Sequence, residues 1–139
     1  MYASLQELQS RLEPALLVDL ADDDGDGQAD DAVIAAALAD ADAEIDARLA
    51  PLYAVPFAAP PALVVRLSAD LALERLFQRR RREIPPAEKV RLERARTLLG
   101  ALALGEVLLS ADGISPRAGS KSTTADDEKI FSRDELQDF

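Results

Sequence analysis

Apolar residues recur at helical spacing along most of this 139-residue chain, and prolines and glycines divide the repeats into separate segments. The clearest repeat consists of Ile34, Leu38, Ala41, Ile45 and Leu49, because side chains three and four positions apart share one face of a helix. Alanine and leucine, both strong helix formers, are the commonest residues. The sequence therefore predicts an all-α fold. We expect a small bundle of about four to five helices over residues 1–109 and a flexible C-terminal arm over residues 110–139.

Capping residues, prolines and glycines set the expected helix boundaries. Ser4 and Glu7 have the spacing of a capping box, and Gly105 suits a helix stop. The first predicted helix begins at Ser4, and the second follows Pro14 and spans Ala15 to Leu20. Three longer helices are predicted after them: from Asp30 or Asp31 through Leu49, from Pro61 or Ala62 to near Glu83, and from Pro85-Pro86 to Gly105. The last two helices are expected to bury Leu63, Val64, Leu67, Leu71 and Phe77, and Val90, Ala95, Leu98, Leu99 and Leu102, respectively. A Gly/Asp loop is expected at residues 22–30 and an irregular segment at Pro51–Pro61.

The C-terminal arm combines a polar stretch with an aromatic tip. Residues 110–127 are rich in Gly, Ser, Thr and Asp and lack periodicity, which is typical of a flexible tether. Phe131, Leu136 and Phe139 lie in the last ten residues, beyond the expected core. These residues predict either a segment that docks on a partner or a neighbouring subunit, or a tail that folds back onto its own bundle.

Two missing residue types restrict the chemistry that the chain can perform. The sequence contains no Cys and no His, which excludes disulfides, thiolate metal sites, His-ligated metals and His-dependent catalytic triads. It contains no apolar run of about 18 residues and no signal-peptide pattern. We therefore expect a soluble protein without a membrane partner, a resident cofactor or an enzymatic activity.

Charge is distributed unevenly along the chain, whose net charge is −10. Residues 12–47 contain twelve acids and no Lys or Arg, whereas residues 66–96 contain ten bases and five acids. The overall acidity argues against a dedicated nucleic-acid binder. The segregation has two interpretations: the acidic face of one copy contacts the basic face of the next in a ring, or the two segments neutralise each other within one monomer.

The acidic segment includes half of a calcium-loop pattern at residues 22–30. Carboxylate oxygens would come from Asp22, Asp24 and Asp26, a backbone carbonyl from Gln28, and a direct or water-mediated ligand from Asp30. The twelfth position is Val33 rather than the bidentate Glu of a complete EF-hand. The same residues also suit an Asp/Gly turn that leads into a helix, so calcium is a possible ligand and not a required one.

Further residues are candidates for contacts with a partner or a neighbouring subunit. The basic segment supplies Arg75 and a run of four consecutive arginines, Arg79, Arg80, Arg81 and Arg82. Guanidinium groups pair well with oxyanions, so an acidic protein, including a second copy, is the expected partner. The run also suits a solvated helix C-terminus, where the helix dipole favours cations. Tyr53 is expected to plug the bundle where helices change direction, or to hydrogen-bond a neighbouring subunit.

Several stretches, in this order, resemble the Mu-like phage head–tail adaptor family, long described as a phage family of unknown function. They are Met1–Leu5, the Asp/Gly loop, Ala41–Asp46 with Leu49, Leu52–Pro56, Leu71–Phe77 and Ala95–Gly105. The resemblance covers about residues 1–109, and the terminal Phe-containing tip matches more weakly.

The resemblance implies a small helical protein of the virion without catalytic residues. About twelve copies would form a ring beneath the portal and join it to a tail-side stopper or tail-completion protein. DNA would pass through this ring without specific binding. The residues themselves also leave open a calcium-binding or acidic regulatory module, including an acidic mimic of nucleic acid.

Overall fold

The computed structural model describes residues 1–110 and 113–117, and α-helices are the only extended regular elements in those ranges. The five helices are α1 (Leu5–Gln9), α2 (Pro14–Ala21), α3 (Asp31–Leu49), α4 (Ala62–Arg79) and α5 (Pro86–Leu104). The two central helices, α3 and α4, make the most extensive contact, and α5 packs against both. The short helices α1 and α2 both pack against α4, and α1 also touches α3. The predicted all-α bundle is confirmed.

The core forms where the predicted apolar stripes of the long helices meet. All five residues of the α3 stripe are buried, as are Val64, Leu67, Leu71 and Phe77 of α4 and Ala95, Leu99 and Leu102 of α5. Leu63 and Leu98 are partly buried and pack against this core. Val90 was predicted wrongly as an inner residue, because it lies on the solvent side of α5 with 47% of its surface exposed.

Local signals place most helix ends correctly. Ser4 accepts a hydrogen bond from the Glu7 amide, and the Glu7 carboxylate accepts one from the Ser4 amide, so the predicted capping box is confirmed. Gly105 closes α5 in the left-handed conformation, with φ 76°. Asp30 precedes α3 without a side-chain cap, because its carboxylate accepts the Asp23 amide instead.

The end of α4 differs from the prediction. The helix stops at Arg79, and not near Glu83, because Arg81 adopts the left-handed conformation with φ 52°. The Arg82 amide then donates to the Phe77 carbonyl and the Arg81 amide to the Gln78 carbonyl. This hydrogen-bond pattern is a Schellman motif, in which glycine normally occupies the position of Arg81.

The N-terminus is fastened across α3 and α4. The Tyr2 amide donates to Asp42 Oδ2 at 2.9 Å, and Ser68 Oγ of α4 donates to Asp42 Oδ1 at 2.5 Å. The Tyr2 hydroxyl donates to Asp46 and accepts the Phe57 amide at 3.0 Å. Burial and the neighbouring Asp46 carboxylate raise the pKa of Tyr2.

The chain stays on the bundle beyond the boundary predicted at residue 109. Leu109 is buried, Ile114 packs against the core, and the Arg117 amide donates to the Leu52 carbonyl at 2.6 Å. Residues 118–139, which include the predicted docking residues Phe131, Leu136 and Phe139, lie outside the described residues. Within the described part of the chain, no helix is long and apolar enough to cross a membrane.

Candidate functional site

The acidic loop between α2 and α3 is fastened to the C-terminal end of α4. Arg79 and Arg80 both bind the Asp23 carboxylate, with 2.9 Å between Arg80 Nη2 and Asp23 Oδ1. Arg80 also donates to the backbone carbonyls of Leu20 and Asp22. Arg82 pairs with Asp19 at 2.6 Å. Three of the four consecutive arginines, all predicted at a partner interface, are therefore paired inside the monomer.

The loop keeps its shape through its own carboxylates. Asp22 accepts the Gly25 amide at 2.7 Å and the Gly27 amide at 3.0 Å. Both glycines have positive φ, which few other residues adopt without strain. Burial acts to raise the pKa of Asp22, but the amide bonds from Gly27 and Gly25 outweigh it and leave that pKa lowered. The backbone bonds thus favour the charged carboxylate.

Three of the five predicted calcium ligands come together. Asp22, Asp24 and Asp30 each offer a carboxylate oxygen, and these oxygens lie within 4.8 Å of one another. Asp26 is not part of this group, and its carboxylate accepts the Gln28 amide at 2.8 Å. Hydrogen bonds within a turn account for the same arrangement. The geometry therefore does not require an ion, and calcium binding is left to a calorimetric test.

A second ionic cluster joins the three long helices through Glu44. This carboxylate accepts Arg96 Nη1 at 2.7 Å and Arg75 Nη2 at 2.8 Å, and it lies 3.4 Å from Arg48 Nε. Arg96 also binds Glu74 at 2.5 Å. Burial acts to raise the pKa of Glu44, but the Arg96 hydrogen bond and the charges of Arg96, Arg75 and Arg48 leave it lowered. Arg75, a predicted interface residue, is therefore also paired within the monomer.

A third ionic cluster surrounds Asp70 of α4, which sequence reasoning did not single out. Only 3% of this residue is exposed, and its carboxylate lies 3.0 Å from Arg11 Nη1 and 3.2 Å from Arg91 Nε. Burial raises the pKa of Asp70 and outweighs the opposing effect of Arg11, Arg91 and Arg66. Arg11 and Arg91 lie 59 and 21 positions away from Asp70 in sequence, so no local motif predicts the cluster.

Tyr53 is a core residue rather than an interface residue. Its side chain has no exposed surface, and its hydroxyl accepts the Leu109 amide at 3.0 Å. Its ring contacts Phe57 with 6.2 Å between centroids, and Phe57 in turn contacts Tyr2. The predicted subunit contact is corrected here because the monomer already encloses the whole side chain. The predicted role as a plug agrees with this burial.

An apolar strip on the outer face of α5 was missed by sequence reasoning. Val90 and Leu104 are 47% and 76% exposed, and Val107 and Leu108 just beyond the helix are also exposed. The signal was present in the sequence, since Val90, Ala101 and Leu104 share one side of α5 while Leu92, Leu99 and Leu102 share the other. An amphipathic helix in a bundle normally presents only one apolar stripe.

These contacts largely decide between the two interpretations of the charge segregation. Acidic and basic segments pair within one monomer at Asp19, Asp23 and Glu44. Some exposed charges nevertheless take part in no ion pair among residues 1–110 and 113–117. They include the acids Asp24, Asp26, Asp31 and Asp40 of the acidic segment and the cations Arg66, Arg81, Lys89 and Arg94 of the basic segment. These groups are available for contacts between copies.

The comparison with protein families covers nearly the whole chain. The family described as Bacteriophage Mu, Gp36 matches residues 2–126, which include all five helices and the acidic loop. No curated protein matches the chain. The family match confirms the resemblance to Mu-like phage proteins: the chain belongs to the bacteriophage Mu Gp36 family.

Proposed function

We propose that this phage protein is a structural head–tail connector without catalytic activity. About twelve copies would form a ring in the virion, between the portal and a tail-side stopper or tail-completion protein. Assembly would take place in the cytoplasm of the bacterial host, and no membrane would be involved. Membership of the Gp36 family supports a role in a phage particle, and exposed carboxylates that enter no ion pair in the described residues suit the lumen of a ring.

The observation that carries this proposal is a firmly held acidic edge. Asp24 and Asp26 in the loop and Asp31 at the start of α3 are exposed and enter no ion pair within the described ranges. The ion pairs of Asp23 with α4 hold the loop against the bundle, so these negative charges keep their positions. Such an edge facing the lumen of a ring would repel DNA phosphates and let DNA pass without being bound.

The structure narrows how copies could contact each other. Arg79, Arg80 and Arg82 are engaged within the monomer, so the proposed ring does not depend on docking the arginine run of one copy onto the acidic loop of the next. All four arginines of the run are exposed, but Arg81 is the one that enters no ion pair in the described part of the chain.

Particle mass and negative-stain imaging test the proposal directly. The protein, alone or mixed with the portal of its phage, is expected to form rings of about a dozen subunits. A persistent monomer that never binds the portal would count decisively against a connector.

The acidic edge has its own test in the assembled ring. Replacing Asp24 and Asp26 by Asn is expected to increase DNA retention several-fold at low salt, since less negative charge faces the phosphates. The matched control replaces Glu13 and Glu106 by Gln, which removes the same charge from exposed residues elsewhere. Equal DNA retention by both variants would show that the edge does not face the DNA.

A calcium-binding or acidic regulatory module is the second candidate, favoured by the proximity of Asp22, Asp24 and Asp30. Calorimetry separates it from the connector. A monomer that takes up calcium at micromolar concentration and forms no ring would support the regulatory module, as would a monomer that displaces a DNA-binding protein from DNA.

A further inference from the structure

A groove on the outer side of α5 combines apolar side chains with arginines. Two adjoining cavities of about 450 and 520 Å³ share Val90, Arg94 and Leu98, and we call this continuous surface the α5 groove. The first cavity also reaches Arg66 and Asp70 of α4 and Arg11, and the second reaches Glu93, Thr97 and Ala101. Leu104, Val107 and Leu108, which follow the groove along the chain, are exposed as well. Contiguous exposed apolar surface such as that of the α5 groove marks a site where another segment packs.

The charges of the α5 groove favour an acidic occupant. Arg11 and Arg91 share the Asp70 carboxylate, and Arg91 also pairs with Glu88 at 2.6 Å. Arg66 and Arg94 belong to no ion pair within residues 1–110 and 113–117, although Arg66 acts on Asp70 over a longer distance. Two guanidinium groups beside an apolar strip suit a segment that carries both carboxylates and large apolar side chains.

The end of the chain has this composition. Residues 118–139 contain six acids and three bases, and two of the four Phe residues of the protein. The last ten residues include Asp134, Glu135 and Asp138 together with four large apolar side chains, Ile130, Phe131, Leu136 and Phe139. The α5 groove and this segment are therefore complementary in both charge and hydrophobicity.

The same segment is tethered within reach of the α5 groove. Residue 117 is bound to the Leu52 carbonyl, and Leu52 Cδ1 would lie 3.6 Å from a Cβ atom at Gly105, at the end of α5. Ile130 lies thirteen positions after residue 117, and an extended chain of thirteen steps spans up to about 45 Å. The distance along α5 from Leu104 back to Val90 is about 21 Å. A tether of this length gives an effective concentration of about a millimolar, which favours docking within one copy.

We propose that the segment Ile130–Phe139 docks in the α5 groove of its own copy, with its carboxylates facing Arg66 and Arg94 and its apolar side chains on Val90 and Leu98. Docking would cover the apolar strip that residues 1–110 and 113–117 leave exposed. This proposal is independent of ring formation, and it selects the fold-back of the tail over docking on a partner.

Cysteine cross-linking of the full-length chain tests the position of the segment, because the sequence contains no native Cys. The double variant Thr97→Cys, Gln137→Cys is expected to oxidise rapidly to a cross-linked monomer, at a rate independent of protein concentration. The control variant Asp40→Cys, Gln137→Cys places the first thiol on α3 and is expected to react at least about tenfold more slowly. Equal rates in both variants would overturn the proposal. Cross-linked dimers that predominate would overturn it as well, since a second copy would then supply the segment.

Hydrogen exchange provides a second measurement that does not depend on a disulfide. In the full-length chain, Arg94→Glu is expected to speed amide exchange in residues 130–139 by about tenfold, because it places a like charge beside the docked carboxylates. Lys89→Glu is the matched control, since it makes the same charge change near the start of α5 but outside the α5 groove. Exchange that is unaffected by Arg94→Glu would contradict docking at this surface.

Discussion

Glu44 Oε1 lies 2.7 Å from Arg96 Nη1, and this contact joins the middle of α3 to the middle of α5. The other oxygen of Glu44 accepts Arg75 Nη2 from α4, so one carboxylate connects the three long helices. The Glu44 side chain is 16% exposed, which limits competition from water. The core cluster itself is apolar, so the Glu44 contacts, together with the Ser68–Asp42 hydrogen bond and the Asp70 cluster, supply directional contacts that apolar packing lacks.

Replacing Glu44 by Gln is expected to lower the free energy of unfolding by about 1–3 kcal/mol at pH 7, because it leaves arginines without their carboxylate. The arginines are partly exposed and can regain water, which keeps the loss below that of a fully buried pair. Urea unfolding of the two proteins measures the difference. Asp40→Asn, at an exposed position on the same helix, is the control and should change stability little.

The same contact predicts a dependence on pH. The pKa of Glu44 is lowered in the folded protein, so its contribution is fully present above the ordinary carboxyl pKa and is lost as the pH falls through the folded value. The stability difference between wild type and Glu44→Gln should therefore be constant near neutral pH and shrink below about pH 4. A difference that stays constant down to pH 3 would mean that the ion pairs contribute nothing.

Arg81→Gly is expected to stabilise the protein by about 1 kcal/mol, because glycine adopts the left-handed conformation at the end of α4 without the strain of a Cβ atom. The change sacrifices no ion pair within the described residues. Thermal or urea unfolding measures the gain. Arg81→Ala keeps the Cβ atom and should remain near wild type, which separates backbone strain from charge.

Gly105 allows the converse experiment at the end of α5. Gly105→Ala places a Cβ atom where φ is 76° and should cost about 1 kcal/mol. The nearest atom, Leu52 Cδ1, would lie at an ordinary contact distance of 3.6 Å, so crowding adds little. If neither Arg81→Gly nor Gly105→Ala changes the free energy of unfolding, the left-handed conformation at these two helix ends carries no measurable strain.

Tyr53→Phe is expected to destabilise the protein by about 1–3 kcal/mol, since the buried Leu109 amide loses its acceptor while the ring packing remains. Hydrogen exchange locates the effect, because the Leu109 amide should exchange faster in the variant while the Leu99 amide within α5 stays protected. An unchanged rate at Leu109 would show that another group accepts this amide.

Calcium at about 2 mM is expected to leave the melting temperature unchanged relative to a chelator. Oxygens of Asp22 and Asp30 already accept backbone amides, and the twelfth loop position, Val33, offers no carboxylate. Differential scanning calorimetry provides the measurement. A rise in melting temperature that disappears in Asp24→Asn would instead establish a calcium site in the loop.

Sequence patterns predicted the fold correctly where neighbouring residues alone determine the local structure. The α3 stripe, the Ser4 capping box and the stop at Gly105 need only neighbouring positions, and each is confirmed. The end of α4 could not be found in this way. Arginine rarely adopts the left-handed conformation, so the residue type at position 81 does not predict a helix end there. The hydrogen bonds of the Schellman motif stabilise this conformation.

The candidate sites depend on pairings between distant positions, which explains the larger errors there. Arg79 and Arg80 stand more than fifty positions from Asp23, so the charge run alone could not show that its partner lies in the same copy. The sequence likewise allowed Tyr53 to hydrogen-bond a neighbouring subunit, because it does not show that the Tyr53 hydroxyl accepts the buried Leu109 amide. Val90 was misplaced because α5 has apolar residues on two sides, and periodicity does not show which side faces the core.

The ion pairs of Asp23 are solvent-exposed, whereas Glu44 and Asp70 are largely enclosed. Dissolved ions screen the first kind of contact strongly and the second kind weakly. Ionic strength should therefore act on this molecule selectively: molar salt would loosen the loop from the end of α4 and leave the three long helices together. The acidic edge would then be held in position at low ionic strength and become progressively more mobile as the salt concentration rises.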